Sequence, residues 1–169
     1  MTQNKTRKWK WLGVNLCRLI ISLTFSWSGI VKLIDPRGTQ YKIEDYATLF
    51  GASSLVTPLL AISMAIALAM LEFYIGFNML FGIRRRSTSR LTLLVLSVMT
   101  PLTLYLALSD AHMDCGCFGD VVILSNWQTF GKNLLMLFAT IVVVKSYRHM
   151  TRIILERNQW LLSIYALVF

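Results

Sequence analysis

Read for hydrophobicity alone, the chain alternates between long apolar blocks and short polar ones. Four blocks stand out: Trp11–Ile34, Thr57–Ile83, Leu91–Leu108 and Trp127–Val144. A bilayer core about 30 Å thick takes about 20 mostly apolar residues in helical form, and each block qualifies. The pattern predicts an all-α integral membrane protein, a four-helix bundle over residues 1–157. The remaining stretch, NQWLLSIYALVF at 158–169, is too short to cross a bilayer at about 1.5 Å per residue. It reads as a short apolar tail lying in the interface, or as the start of a truncated fifth helix. No soluble domain, fixed-period repeat or low-complexity tract is visible.

Within the blocks a finer pattern appears at 100° per residue. Arg18, Ser22, Ser26, Gly29 and Lys32 fall on one stripe of the first helix, which should face protein rather than lipid. Ala61, Ala65, Ala69, Glu72 and Gly76 form a matching face on the second, where small residues let helices approach closely. Counted from the ends of their blocks, Arg18 and Glu72 reach similar depths. An ionisable group inside a membrane is costly and usually paired, so an intramembrane ion pair between Arg18 and Glu72 is expected. It would act as a structural lock, or as part of a proton path or quinone contact. Lys32, at the outer end of helix one, can snorkel to the interface.

The first loop, 35–56, opens with DPRG, which should stop helix one. Its middle, KIEDYATLFG, reads as a short amphipathic helix on the membrane surface, ended by Gly51; a plain connector is the alternative. Pro101 should kink the third membrane helix. Ser125 or Asn126 is a candidate cap for the fourth.

Charge changes the picture next. The net charge is +9, yet its placement argues against nucleic acid. Lys5, Arg7, Lys8 and Lys10 precede helix one; Arg84, Arg85, Arg86 and Arg90 fill the link between helices two and three; Lys145, Arg148, Arg152 and Arg157 follow helix four. In a four-pass topology all of these lie on one side. The other side has only Arg37 and Lys42 in its first loop and no Lys or Arg in its second. By the positive-inside rule both termini are expected in the cytoplasm, with DCGCFGD outside. The first block is too long for a cleaved signal peptide and no A-x-A site follows it.

That second loop carries DCGCFGD, Asp114 to Asp120. Outside the cytoplasm disulfides form and persist, so Cys115 and Cys117 are open to three readings. As a redox pair they would close a very small, strained ring, and strained disulfides are the more oxidising and labile ones. Gly116 gives the backbone the freedom such a ring needs. Asp114 and Asp120 oppose thiolate formation, although they and His112 could relay protons. As a structural clip, a disulfide spanning so little chain stabilises little. As a metal site, His112, Asp114, Cys115, Cys117 and Asp120 offer ligands, but structural zinc sites space their cysteines by two to four residues, and no metal is assigned. Cys17 lies across the bilayer from the pair and reads as a buried, inert thiol.

Several of these stretches carry a family resemblance. RLIISLTFSWSGIVKLIDPRG (Arg18 to Gly38), KIEDYATLFG, and Glu72 with Ile75–Gly76 resemble the DoxX-like membrane proteins. DCGCFGD followed by W-x-T-x-x-x-N, Trp127 to Asn133, is similar to the MauE, methylamine utilisation, branch of that superfamily. The resemblance spans nearly the whole chain. It implies a four-helix membrane bundle and a role in making or maintaining disulfides in exported proteins. MauE proteins are associated with maturation of a disulfide-rich periplasmic dehydrogenase subunit.

Together these readings point to a thiol–disulfide redox protein of a bacterial inner membrane, with Cys115 and Cys117 on the periplasmic side. Cys115 and Cys117 would be catalytic, with Asp114, Gly116, Asp120 and His112 in support. Electrons would pass to a quinone or another membrane acceptor, with no cofactor firmly held. The expected partners are an exported thiol protein and the lipid bilayer. Because no second outer cysteine pair is present, a separate or missing C-terminal thioredoxin-like partner is a further expectation. The alternative is a non-catalytic membrane subunit that docks a redox or maturation complex.

Overall fold

The structure, a computed structural model, describes residues 2–109, 125–147, 150 and 164, with the backbone alone at 2–8 and 10. Among the described residues there are five helices and no strand: α1 (Thr2–Ile34), α2 (Pro36–Leu49), α3 (Pro58–Phe81), α4 (Arg85–Leu108) and α5 (Asn126–Lys145). Four of them are long and apolar enough to cross a membrane, α1 over Trp11–Ile34 and α3, α4 and α5 over their full lengths. The all-α membrane bundle expected from the hydrophobic pattern is what forms.

Local chemistry sets the breaks. Pro36 biases residue 35 away from helical angles and so ends α1, then sits in the first turn of α2, where its missing N–H costs nothing. Asp35 caps α2 by accepting from the Gly38 N–H at 3.4 Å. The amphipathic helix foreseen over KIEDYATLFG is therefore part of a longer one that starts at Pro36. Beyond it Gly51 takes the left-handed φ of +69° that a turn needs there. Thr57 caps α3, and a Schellman-type ending closes it, with Gly82 left-handed and the Ile83 N–H on the Asn78 carbonyl at 2.9 Å.

The link to α4 is much shorter than the hydropathy suggested. Arg85, Arg86 and Arg90 are helical rather than part of a loop, and α4 begins six residues before the apolar block. Hydropathy marks where lipid begins, whereas the helix continues for as long as its backbone is satisfied. Pro101 lies inside α4, which remains a single helix.

Of the two cap candidates for α5, Ser125 is the one used. Its hydroxyl accepts from the Gln128 N–H at 3.3 Å, and the Gln128 side chain accepts from the Ser125 N–H at 3.1 Å, a complete capping box. Asn126 instead donates to the Leu106 carbonyl at 3.3 Å, tying the start of α5 to the end of α4. Ser125→Ala is expected to cost about 0.5–2 kcal/mol, read as a lowered midpoint of thermal unfolding in micelles.

α1 packs most extensively on α3 and α4 on α5, with α1 also touching α5 and α2 lying against α3. The α1–α3 crossing is close because two glycines permit it. A Cβ on Gly29 would stand 2.6 Å from the Phe73 nitrogen, and one on Gly76 would strike the Ser26 backbone. The predicted stripes do face each other: Arg18, Ser22 and Lys32 on α1 and Ala61, Ala65, Ala69, Glu72 and Gly76 on α3 are all buried. Ile21, Ile75, Met79 and Val143 fill the core between them and α5. Leu16, Leu23, Leu94, Leu135 and Phe138 point outward, as expected of surfaces that meet lipid.

Candidate functional site

The antiparallel α1–α3 crossing fixes which residues meet. Gly29 lies over Ala69 and Phe73, and Gly76 lies against Ser22 and Ser26. In that register Glu72 faces Ser28 and Lys32. Lys32 Nζ is 2.5 Å from Glu72 Oε1, and Ser28 Oγ donates to Glu72 Oε2 at 2.7 Å. Both ionised side chains are buried, 4% and 9% exposed.

The expected Arg18–Glu72 pair is thus corrected: Glu72 pairs with Lys32. Arg18 lies further along the crossing, where its Nη2 reaches the Leu80 carbonyl at 3.4 Å. The depth count failed because α1 runs well past the end of α3. Trp11 is not level with Ile83; Arg18 is nearly so. The eight residues from Glu72 to Leu80 amount to about 12 Å of helix. Lys32 does not snorkel outward either, since it is 3% exposed.

Beside the ion pair lies a cavity of about 680 Å³. α2 covers it through Thr39, Tyr46 and Ala47, and α3 and α4 wall it through Met64, Leu71, Val95 and Met99. Its surface is mostly apolar, with polar groups from four helices: Ser28 and Lys32 on α1, Thr39 and Lys42 on α2, Glu72 on α3, and Lys132 and Asn133 on α5. Asn133 is oriented by donating to Thr103 Oγ1 at 3.4 Å. The Thr39 hydroxyl is buried and has no hydrogen-bond partner among the described residues.

The cavity lies at one end of the bundle. That end also holds α2, the start of α3, the end of α4 and the start of α5. The α3–α4 turn at 82–84, followed by Arg85 and Arg86 in the first turn of α4, is at the other. Ser109 and Ser125, the described residues on either side of the cysteine segment in sequence, are at the cavity end, and Leu102, on the cavity wall, is about 9 Å of helix from Leu108. His112, Asp114, Cys115, Gly116, Cys117 and Asp120 lie outside the described residues. Cys17 is a free thiol, partly buried against the core.

Sequence reasoning singled out Glu72, Lys32 and Asn133 but missed Lys132, Ser28 and Thr39 as cavity groups. Lys132 carried a usable signal, being a charge within a membrane-length block beside Asn133. Thr39 carried none, because a threonine in a surface helix is ordinary until its hydroxyl is seen to be buried.

Among curated proteins and among solved structures, nothing matches the chain. The family described as Methylamine utilisation protein MauE matches residues 10–146, which takes in all four membrane-length helices. With most of its length matched, from within α1 to the end of α5, the chain belongs to the MauE family.

Proposed function

We propose that this membrane protein is a thiol–disulfide oxidoreductase that supports disulfide formation in exported proteins. The observation that carries the reading is Cys115–Gly116–Cys117 itself, in the segment joining two membrane-length helices at the end of the bundle where the cavity lies. The family's description, Methylamine utilisation protein MauE, supports a role in methylamine utilisation. The reading sets the chain in a bacterial inner membrane, and the distribution of Lys and Arg favours an orientation with the α3–α4 turn in the cytoplasm and the cysteine pair on the periplasmic side.

The chemistry balances in two steps. A thiolate of the exported protein attacks one sulfur of the Cys115–Cys117 disulfide, forming a mixed disulfide and releasing the other cysteine as thiolate. A second substrate thiolate resolves it, leaving an oxidised substrate and a Cys115/Cys117 dithiol. That dithiol then re-forms its S–S bond by giving two electrons and two protons to a membrane quinone, which leaves as quinol. Asp114, Asp120 and His112 are placed in sequence to carry the protons.

The test uses single substitutions. Cys115→Ser and Cys117→Ser should each abolish oxidation of a reduced exported substrate, and one of them should accumulate a mixed disulfide visible on a non-reducing gel. Full activity in both variants would sink the reading and leave a docking subunit in its place.

A further inference from the structure

The cavity has a shape and a composition that call for a particular kind of occupant. Its volume of about 680 Å³ falls within the roughly 300–1,000 Å³ of small-molecule sites, which are largely apolar with a few placed polar groups. It separates α3 from α4. These helices are joined by the tight turn at 82–84, and Met64, Ala67 and Leu71 on one face Leu102, Met99 and Val95 on the other across the cavity. Met64 and Ala67 are exposed, so the gap between the two helices opens on the surface that lipid covers. An occupant can therefore enter sideways from the bilayer.

The polar groups narrow the choice. An acyl chain needs no polar partner, yet the cavity is lined by lysines from three helices, by Asn133 and by Thr39. Thr39 is the decisive one. Its hydroxyl is buried without a partner among the described residues, and an orphaned buried hydroxyl is costly. A ring carbonyl reaching it would remove that cost. The occupant that fits is flat, mostly apolar, bilayer-soluble and bears carbonyl acceptors.

We propose that the cavity walled by α3 and α4 and roofed by α2 is a quinone site. Thr39, Lys132 and Asn133 donate to the ring carbonyls, and the Lys32–Glu72 pair lines the same space. The proposal rests on the redox reading above and supplies its electron acceptor. The two protons taken up on reduction to quinol match the two released when the dithiol closes. The Lys32–Glu72 pair is placed to pass them.

The experiment is binding, not turnover. The full chain, in phosphatidylcholine nanodiscs free of endogenous quinone, is photolabelled with a short-chain azidoquinone and the adducts are mapped by mass spectrometry. Adducts are expected within 64–72 and 95–102, undiminished by excess oleate. Ala67→Phe, which fills the cavity, should weaken labelling at least tenfold, and Ile66→Phe, one residue away and facing out, should not. Thr39→Val should weaken it about two- to tenfold while leaving the ligand-free protein at least as stable. Adducts elsewhere, displacement by oleate, or labelling indifferent to both Ala67→Phe and Thr39→Val would overturn the proposal. Cys115→Ser/Cys117→Ser should label normally. Normal labelling without thiol oxidation in the unsubstituted chain would sink the redox reading alone, and thiol oxidation without labelling would sink the site alone.

Discussion

Glu72→Ala is expected to cost about 3–5 kcal/mol, because it leaves the Lys32 ammonium buried with its carboxylate gone. In the native chain Glu72 accepts from both Lys32 and the Ser28 hydroxyl, so truncation removes a partner from each at once. Lys32→Met should cost a similar amount for the mirror reason. The double variant Lys32→Met/Glu72→Leu should recover most of the loss, since a well-packed apolar pair often matches a buried ion pair in stability. The measurement is equilibrium unfolding by SDS titration in mixed micelles, analysed as a double-mutant cycle. Arg18→Met with Glu72→Ala should be nearly additive, because the register holds the two groups apart. Strong coupling to Arg18 and none to Lys32 would overturn the pairing.

Gly76→Val should be at least as damaging, and through geometry alone. A single Cβ there already strikes the Ser26 backbone and stands 2.9 Å from the Ser22 carbonyl, so even Gly76→Ala should cost about 1–3 kcal/mol, and valine more. Gly29→Ala should behave alike, because its Cβ would lie 2.6 Å from the Phe73 nitrogen and 2.9 Å from the Ala69 carbonyl. Neither neighbour is a side chain that can swing aside. Gly131 provides the contrast. It lies inside α5 with nothing within 4 Å of an added Cβ, so Gly131→Ala should stabilise by about 0.5–1 kcal/mol. Opposite signs at the two sets of glycines in one unfolding series would confirm the crossing. Equal signs would place the helices elsewhere.

These predictions show where the sequence was legible. Apolar blocks of membrane length fix the number of membrane-length helices, because lipid tolerates few alternatives. The stripes on α1 and α3 were readable because small and polar residues recur at helical spacing. Glu72 and Lys32 were each visible as a costly charge. Their pairing was not, because it depends on how far two helices slide past each other, and hydropathy does not report that. The glycines at 29 and 76 set the slide, and only their contacts reveal it. The start of α4 was hidden for a related reason. Ser89 and Thr92 donate to carbonyls one turn back, at 2.6 and 2.8 Å, so polar residues sit comfortably inside the helix and blur its boundary. The cavity was least legible of all, since it arises from the separation of α3 and α4 and no single residue announces it.

The ion pair also sets an order of events during synthesis. Lys32 and Glu72 are 40 residues apart, and chains grow at about 5–20 residues per second. For about 2–8 s the first helix therefore exists without its counter-charge. During that interval the Lys32 ammonium must stay near the water, reached by its flexible stem. It can move inward only when the carboxylate arrives on α3. Docking of α1 on α3 is thus timed by the appearance of one residue.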